Sequence, residues 1–196
     1  MVALTPAQDV LDFWFLPIGA KGHNSPRPEW FRKDPAFDQQ IRAQFGDVVA
    51  LALNGGLRDW DDEGTQGTLA RIVVLDQMTR NIHRGTPLAF AGDTLALEAA
   101  MALDDSGANQ TLPPAQRLFS FIPFEHAENL SRQQRSVDLF DMLRGAAPGY
   151  ERNYEYARRH YEVIRRFGRF PHRNAILGRV STAEETAFLQ QPGSGF

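Results

Sequence analysis

Two carboxylates, an imidazole and an amide lie within five residues in Glu125-His126-Ala127-Glu128-Asn129, framed by Phe121-Ile122-Pro123-Phe124 and Leu130. A carboxylate beside a histidine can move protons or orient the ring. Glu125 and Glu128 are therefore candidate general acids or bases, and His126 is a candidate proton shuttle. His126 and Glu128 would also begin a metal site, but the two-histidine helical zinc motif is absent, so no metal and no cofactor are expected. The plainer reading is that both glutamates favour the start of a helix near Pro123.

A second cluster is Arg165-Arg166-Phe167-Gly168-Arg169-Phe170-Pro171-His172-Arg173-Asn174. Arginines at a helix C-terminus complement its dipole, which accounts for Arg165 and Arg166 better than for Arg169, His172 and Arg173 beyond Gly168. Guanidinium forks in a loop suit carboxylate or phosphate recognition, and Phe167 and Phe170 would suit stacking on a base. Arg165, Arg169, His172, Arg173 and Asn174 are the ligand-binding candidates here, and His172 is a further proton-shuttle candidate.

The third cluster sits on a helix. With Leu69 at zero and about 100° per residue, Ile72, Val73, Asp76 and Arg80 all fall within about 60° of it. Asp76 and Arg80 thus share the apolar face, four residues apart, where side chains meet. A buried carboxylate needs such a partner. Gln77 borders this face, His83 returns near its centre, and Asp76, Gln77, Arg80 and Asn81 complete the ligand-binding candidates.

These stretches resemble a known family, the bacterial proteins of domain of unknown function 924. The resemblance rests on Leu75-Asp76-Gln77-Met78-Thr79-Arg80-Asn81-Ile82-His83-Arg84-Gly85-Thr86, on Phe121 through Leu130, and on Arg166 through Asn174 continuing to Leu177-Gly178-Arg179 and Ser181-Thr182-x-Glu184-Glu185. Val10-Leu11-Asp12-Phe13-Trp14-Phe15 and Trp30-Phe31 fit it too. Met78-Thr79 stands where an aromatic followed by proline or serine is commoner. The resemblance implies an all-α fold similar to the tetratricopeptide-like helical superfamily, and it brings no catalytic assignment.

Composition sets bounds. The 196 residues, 42% hydrophobic and 23% charged, suit one globular domain spanning 1–196. With no cysteine, disulfides, thiol nucleophiles and zinc–thiolate sites are excluded. No stretch reaches the roughly 18 apolar residues of a membrane span, and no basic region precedes the first apolar stretch, so a cytoplasmic location without membrane contact is expected. The net charge of −3 gives no global pull toward nucleic acid. Yet residues 151–179 hold eight arginines against three acids.

The elements that must position these residues are helices. Thr5-Pro6-Ala7-Gln8 offers a cap, a first-turn proline and a capping-box glutamine for a helix to about Phe15, followed by a loop over 17–28. Asp34-Pro35 opens the next, with Phe37, Ile41, Phe45, Val48 and Ala52 buried and Asn54-Gly55-Gly56 as its stop. Further helices are expected over 68–82, 94–104, from Pro113-Pro114 until Pro123 breaks or kinks it, and over 131–143. Tyr150, Tyr154, Ala157, Tyr161 and Ile164 mark one face of a helix closed by Gly168 and Pro171, with His160 at its border. Ser181 and Glu184 form a capping box for a helix to about Gln190, and the tail 192–196 is expected to fray. The fold expected is an all-α array of eight to nine helices in antiparallel hairpins.

Three functions follow. The leading one is a binding domain in which all three clusters converge on a polar, arginine-rich cleft for a small anionic molecule or an acidic peptide. The second is an enzyme with Glu125 or Glu128 as acid–base, His126 or His172 as shuttle, and Arg169 or Arg173 as oxyanion clamp. The third is a protein-interaction module whose groove exposes Phe167 and Phe170. Nucleic acid, supported by one basic segment only, is not the expected partner.

Overall fold

The computed structural model describes residues 5–195, and among them the chain is all-α, with nine α-helices and no strand. Its residues pack as two compact units, one of residues through Arg84 plus Leu88–Pro123, the other of Gly85–Pro87 plus residues from Phe124 onward.

In the first unit α1 (Ala7–Phe15) buries Val10, Leu11, Trp14 and Phe15. The expected Thr5 cap does not form, because Pro6 is the N-cap residue and Gln8 donates to Asp12 instead. Asp34 caps α2 (Pro35–Leu53) through the amides of Ala36 and Phe37. α3 (Thr65–Ile72) passes into a π-helical turn over Val73–Met78 before α4 (Thr79–Ile82). α5 (Asp93–Asp105) follows.

α6 (Pro114–His126) continues past Pro123 to His126, so the proline does not break the helix there. Phe119, Phe121 and Phe124 are fully buried around it. The packing of three rings outweighs the one backbone bond that proline forfeits.

In the second unit Asn129 caps α7 (Leu130–Ala146), and a short connection leads to α8 (Glu151–Phe167), which ends at Gly168 with φ 70°. Such a left-handed residue is the usual stop for a helix, and glycine takes it without strain. The buried residues of α8 are Ala157, His160, Val163 and Ile164. The buried stripe therefore centres on His160 rather than beside it, and Tyr154 stands at its flank with the Arg144 guanidinium 3.9 Å from its ring centre.

α9 (Ala183–Leu189) has its capping box one residue later than expected, between Thr182 and Glu185. Of the tail expected to fray, Phe196 lies outside the described residues. The rest turns back, with Gly193 accepting from Arg159 at 2.7 Å and Ser194 donating to Leu189 at 3.0 Å.

Candidate functional site

The Asp76 segment belongs to the first unit. All six residues of the π turn are buried, so this stretch is apolar-packed on every side and a helical wheel at constant pitch overstates its one-sidedness. The wider i→i+5 turn is seen at Thr79, whose backbone N–H donates to the Val74 carbonyl, which also accepts from the Thr79 hydroxyl at 3.0 Å. Turns of this kind are rare and occur often at functional sites. The Asp76 carboxylate, fully buried, accepts from Gln77 at 2.5 Å and from Arg80 at 3.1 Å. Arg80 continues to Asp93 at 3.0 Å. Asn81 and Arg84 both donate to Asp38, at 2.7–2.9 Å. Burial works to raise the Asp38 carboxyl, but the bonds from Arg84 and Asn81 hold it below its ordinary value. Burial, with Arg42 nearby, lowers His83.

The other two segments meet in the second unit. Because α6 persists to His126, Glu125 occupies its last turn rather than the start of a helix. Gln133, fully buried on α7, caps that end by donating to the carbonyls of Glu125 at 2.6 Å and Ala127 at 2.8 Å. Arg173 adds a cation there, donating to the His126 carbonyl at 3.1 Å while its guanidinium lies 4.6 Å from the Phe170 ring centre. A cation at a helix C-terminus is electrostatically favourable.

Glu128 joins the segments. Its Oε1 accepts from the Phe170 amide at 2.7 Å, and Arg179 grips both oxygens at 2.7 and 2.9 Å. Burial works to raise this carboxyl, and Arg179 and the Phe170 amide outweigh it, so Glu128 stays ionised below its ordinary range.

Glu125 lies 3.3 Å from Nδ1 of His160. The same nitrogen is 2.8 Å from the Tyr156 carbonyl, so it carries the proton. Burial, reinforced by His126, His172 and Arg173, drives His160 down to about 3. The contact thus places a neutral ring against the Glu125 carboxyl group and is not an ion pair. His172 is likewise lowered to about 4, by burial first and then by Arg173 and His126. Among the described residues no group of three or more His, Cys, Asp or Glu is placed to hold a metal.

The remaining arginines face carboxylates of their own. Arg165 pairs with Glu162 at 2.6 Å and Arg166 with Glu184 at 2.7 Å. Arg169 grips Glu185 at 2.6 and 2.8 Å, and Asn174 donates to Ser181 at 3.0 Å and to Glu185 at 3.3 Å. Glu185, 2% exposed, is held at about 2, chiefly by the Arg169 bond. Phe170 is fully buried and Phe167 packs on Phe188, ring centres 5.1 Å apart. The exposed stacking surface expected of these two rings is absent, because Phe170 belongs to the core with Val163 and Ile164.

A cleft of about 380 Å³ opens on α8 instead, between it, α9 and the tail. Val163, Phe188, Arg158, Arg159, Glu155 and Glu162 are among the residues that line it. Neither this cleft nor a smaller one in the first unit is lined by Glu125, His126, Glu128, His160 or His172. Sequence reasoning singled out none of Asp38, Asp93, Gln133, Arg179 or Glu185 as a site residue. Arg179 and Glu185 lay in the family-resembling stretches, and Asp38, Asp93 and Gln133 carried no signal beyond polarity, because their partners sit on other segments.

A family model described as bacterial protein of unknown function matches residues 10–193. No curated protein matches the chain. A solved structure of a protein of unknown function from Agrobacterium tumefaciens is similar, with 38% identity, a TM-score of 0.80, and coverage of 94% of this chain and 96% of that one.

Proposed function

Because the chain belongs to a bacterial family of unknown function, its relatives lend it no activity, and we propose from geometry that it is a helical binding domain. Its ligand is a small molecule or acidic peptide that presents a carboxylate or phosphate on an apolar body, taken in the cleft on α8. The observation that carries this reading is that Arg158 and Arg159 line a cavity together with the apolar Val163 and Phe188.

Charge supports the sign. Glu162 is paired with Arg165 at 2.6 Å, so part of the acidic charge lining the cleft is already offset. Arg158 is exposed and is in no ion pair among the described residues, its guanidinium carbon lying 5.9 Å from the Tyr154 ring centre. Arg159 is oriented by its bond to Gly193, and a fixed fork loses less freedom on binding an anion. The volume falls in the few-hundred-Å³ range of small-molecule sites.

A cytoplasmic location is part of the same proposal. No helix among the described residues is long and apolar enough to cross a membrane, and a chain without cysteine is at home in a reducing compartment.

The test is nuclear magnetic resonance of isotope-labelled protein titrated with benzyl phosphate. Shifts confined to amides around Arg158, Val163, Phe188 and Ser194 are expected. Shifts elsewhere only, or none, would sink the assignment.

A further inference from the structure

The smaller cleft, about 270 Å³ in the first unit, is built on different chemistry. No arginine or lysine lines it. Leu11, Phe15, Leu16 and Pro113 give it apolar walls, and its polar edge is a chain of hydrogen bonds whose directions are all determined.

That chain starts at Leu16, whose backbone at φ 66° and ψ 151° occupies a region that is essentially glycine-only and is held where the surroundings over-determine it. Its carbonyl meets Nδ1 of His23 at 2.6 Å. A carbonyl only accepts, so Nδ1 carries the proton and Nε2 accepts from the Asn24 amide nitrogen at 2.8 Å. Asn24, itself left-handed at φ 56°, therefore turns its oxygen to Nε2 of Gln116 at 3.1 Å. The Gln116 oxygen then accepts from Gln66 at 2.9 Å. Each amide nitrogen in this relay spends one hydrogen and keeps a second. Asp12, also in the lining, accepts from Gln8 through one oxygen at 2.7 Å, and its other oxygen has lone pairs to spare.

We infer that this cleft binds a small, uncharged, planar molecule through an amide edge, a carboxamide or a lactam the size of a single nucleobase. Donors fixed by the Gln116–Gln66 relay meet the ligand's carbonyl, and Asp12 accepts from its N–H. An anion would face Asp12 with no compensating cation. The volume, below the roughly 300–1,000 Å³ of drug-sized sites, limits the body to about one ring. Amide donors held in one orientation discriminate well, because a ligand lacking the matching groups leaves them unpaired.

The experiment is isothermal titration with two probes, nicotinamide and uracil, against the wild-type chain and two variants. Gln66 is exposed and Asp12 only partly buried, so Gln66→Leu and Asp12→Ala test the edge without emptying the core. At least one probe should bind, with affinity weakened about tenfold or more in each variant. Failure of both probes to bind at about 10 mM, or binding that either variant leaves unchanged, overturns the inference.

Discussion

Arg179 holds Glu128 by its two terminal guanidinium nitrogens, at 2.7 and 2.9 Å, across 51 residues of chain. The same arginine donates to the Phe170 carbonyl at 3.0 Å, while Glu128 accepts from the Phe170 amide. Two residues thereby satisfy both backbone groups of a third and tie the turn after α6 to the loop after α8. Arg179→Ala leaves Glu128 a half-buried carboxylate without its main partner and should cost about 1–3 kcal/mol. Arg179→Lys should recover only part, since an ammonium cannot reproduce the fork. Urea unfolding measures both. A loss within about 0.5 kcal/mol for the alanine variant, the range of ordinary surface changes, would mean that the clamp contributes little.

The Asp76–Arg80 pair carries a larger penalty if broken on one side. Asp76 has 1% of its side chain exposed and Arg80 18%. Arg80→Ala strands a buried charge, and about 3–5 kcal/mol of destabilisation is expected. Asp76→Asn in the same background removes that charge and should restore part of the loss. A double variant no more stable than the single one contradicts this account of the site.

Acid should weaken the fold in two stages. Burial lowers His160 to about 3 and His172 to about 4 from an ordinary 6.5. Below pH 6.5 the unfolded chain then binds more protons than the folded one, so their contribution is complete above that value and is lost as pH falls through the window. Glu185, held at about 2 against an ordinary 4.5, adds stability that is present above 4.5 and lost toward 2. Melting temperature should be level above about pH 7 and fall below it. His160→Gln should make the first stage shallower, with the His172 part remaining, and leave the second. A profile that stays level down to about pH 4.5 would contradict these shifts.

What the sequence revealed follows the range of the interactions involved. Asp34-Pro35 and Gly168 marked helix ends because capping is settled within a few residues. The pairing of Asp76 with Arg80 was legible for the same reason, lying one turn apart. Pro123 misled because its cost is local and the aromatic packing that outweighs it is not. The box at Thr182 and Glu185 competed with an overlapping one at Ser181 and Glu184, and the bonds from Arg169 and Asn174 to Glu185 decided between them. His160 stood at the edge of a stripe drawn through Tyr154, which lies at the flank under the Arg144 guanidinium. The arginines after Gly168 were conspicuous, yet which carboxylates they face depends on segments up to fifty residues away. The cleft on α8 is lined by Arg158 and Arg159, which had stood out only as part of a charge count.

The proposal that this cleft takes an anion is tested most directly by isothermal titration of benzyl phosphate into the wild-type chain and Arg158→Gln. Arg158 is exposed, so the variant should fold and melt as the wild type does. The account predicts binding that weakens about tenfold in the variant and weakens further for both proteins as salt is raised. Equal affinity in the two proteins, or no binding to the wild type at about 10 mM, would contradict it.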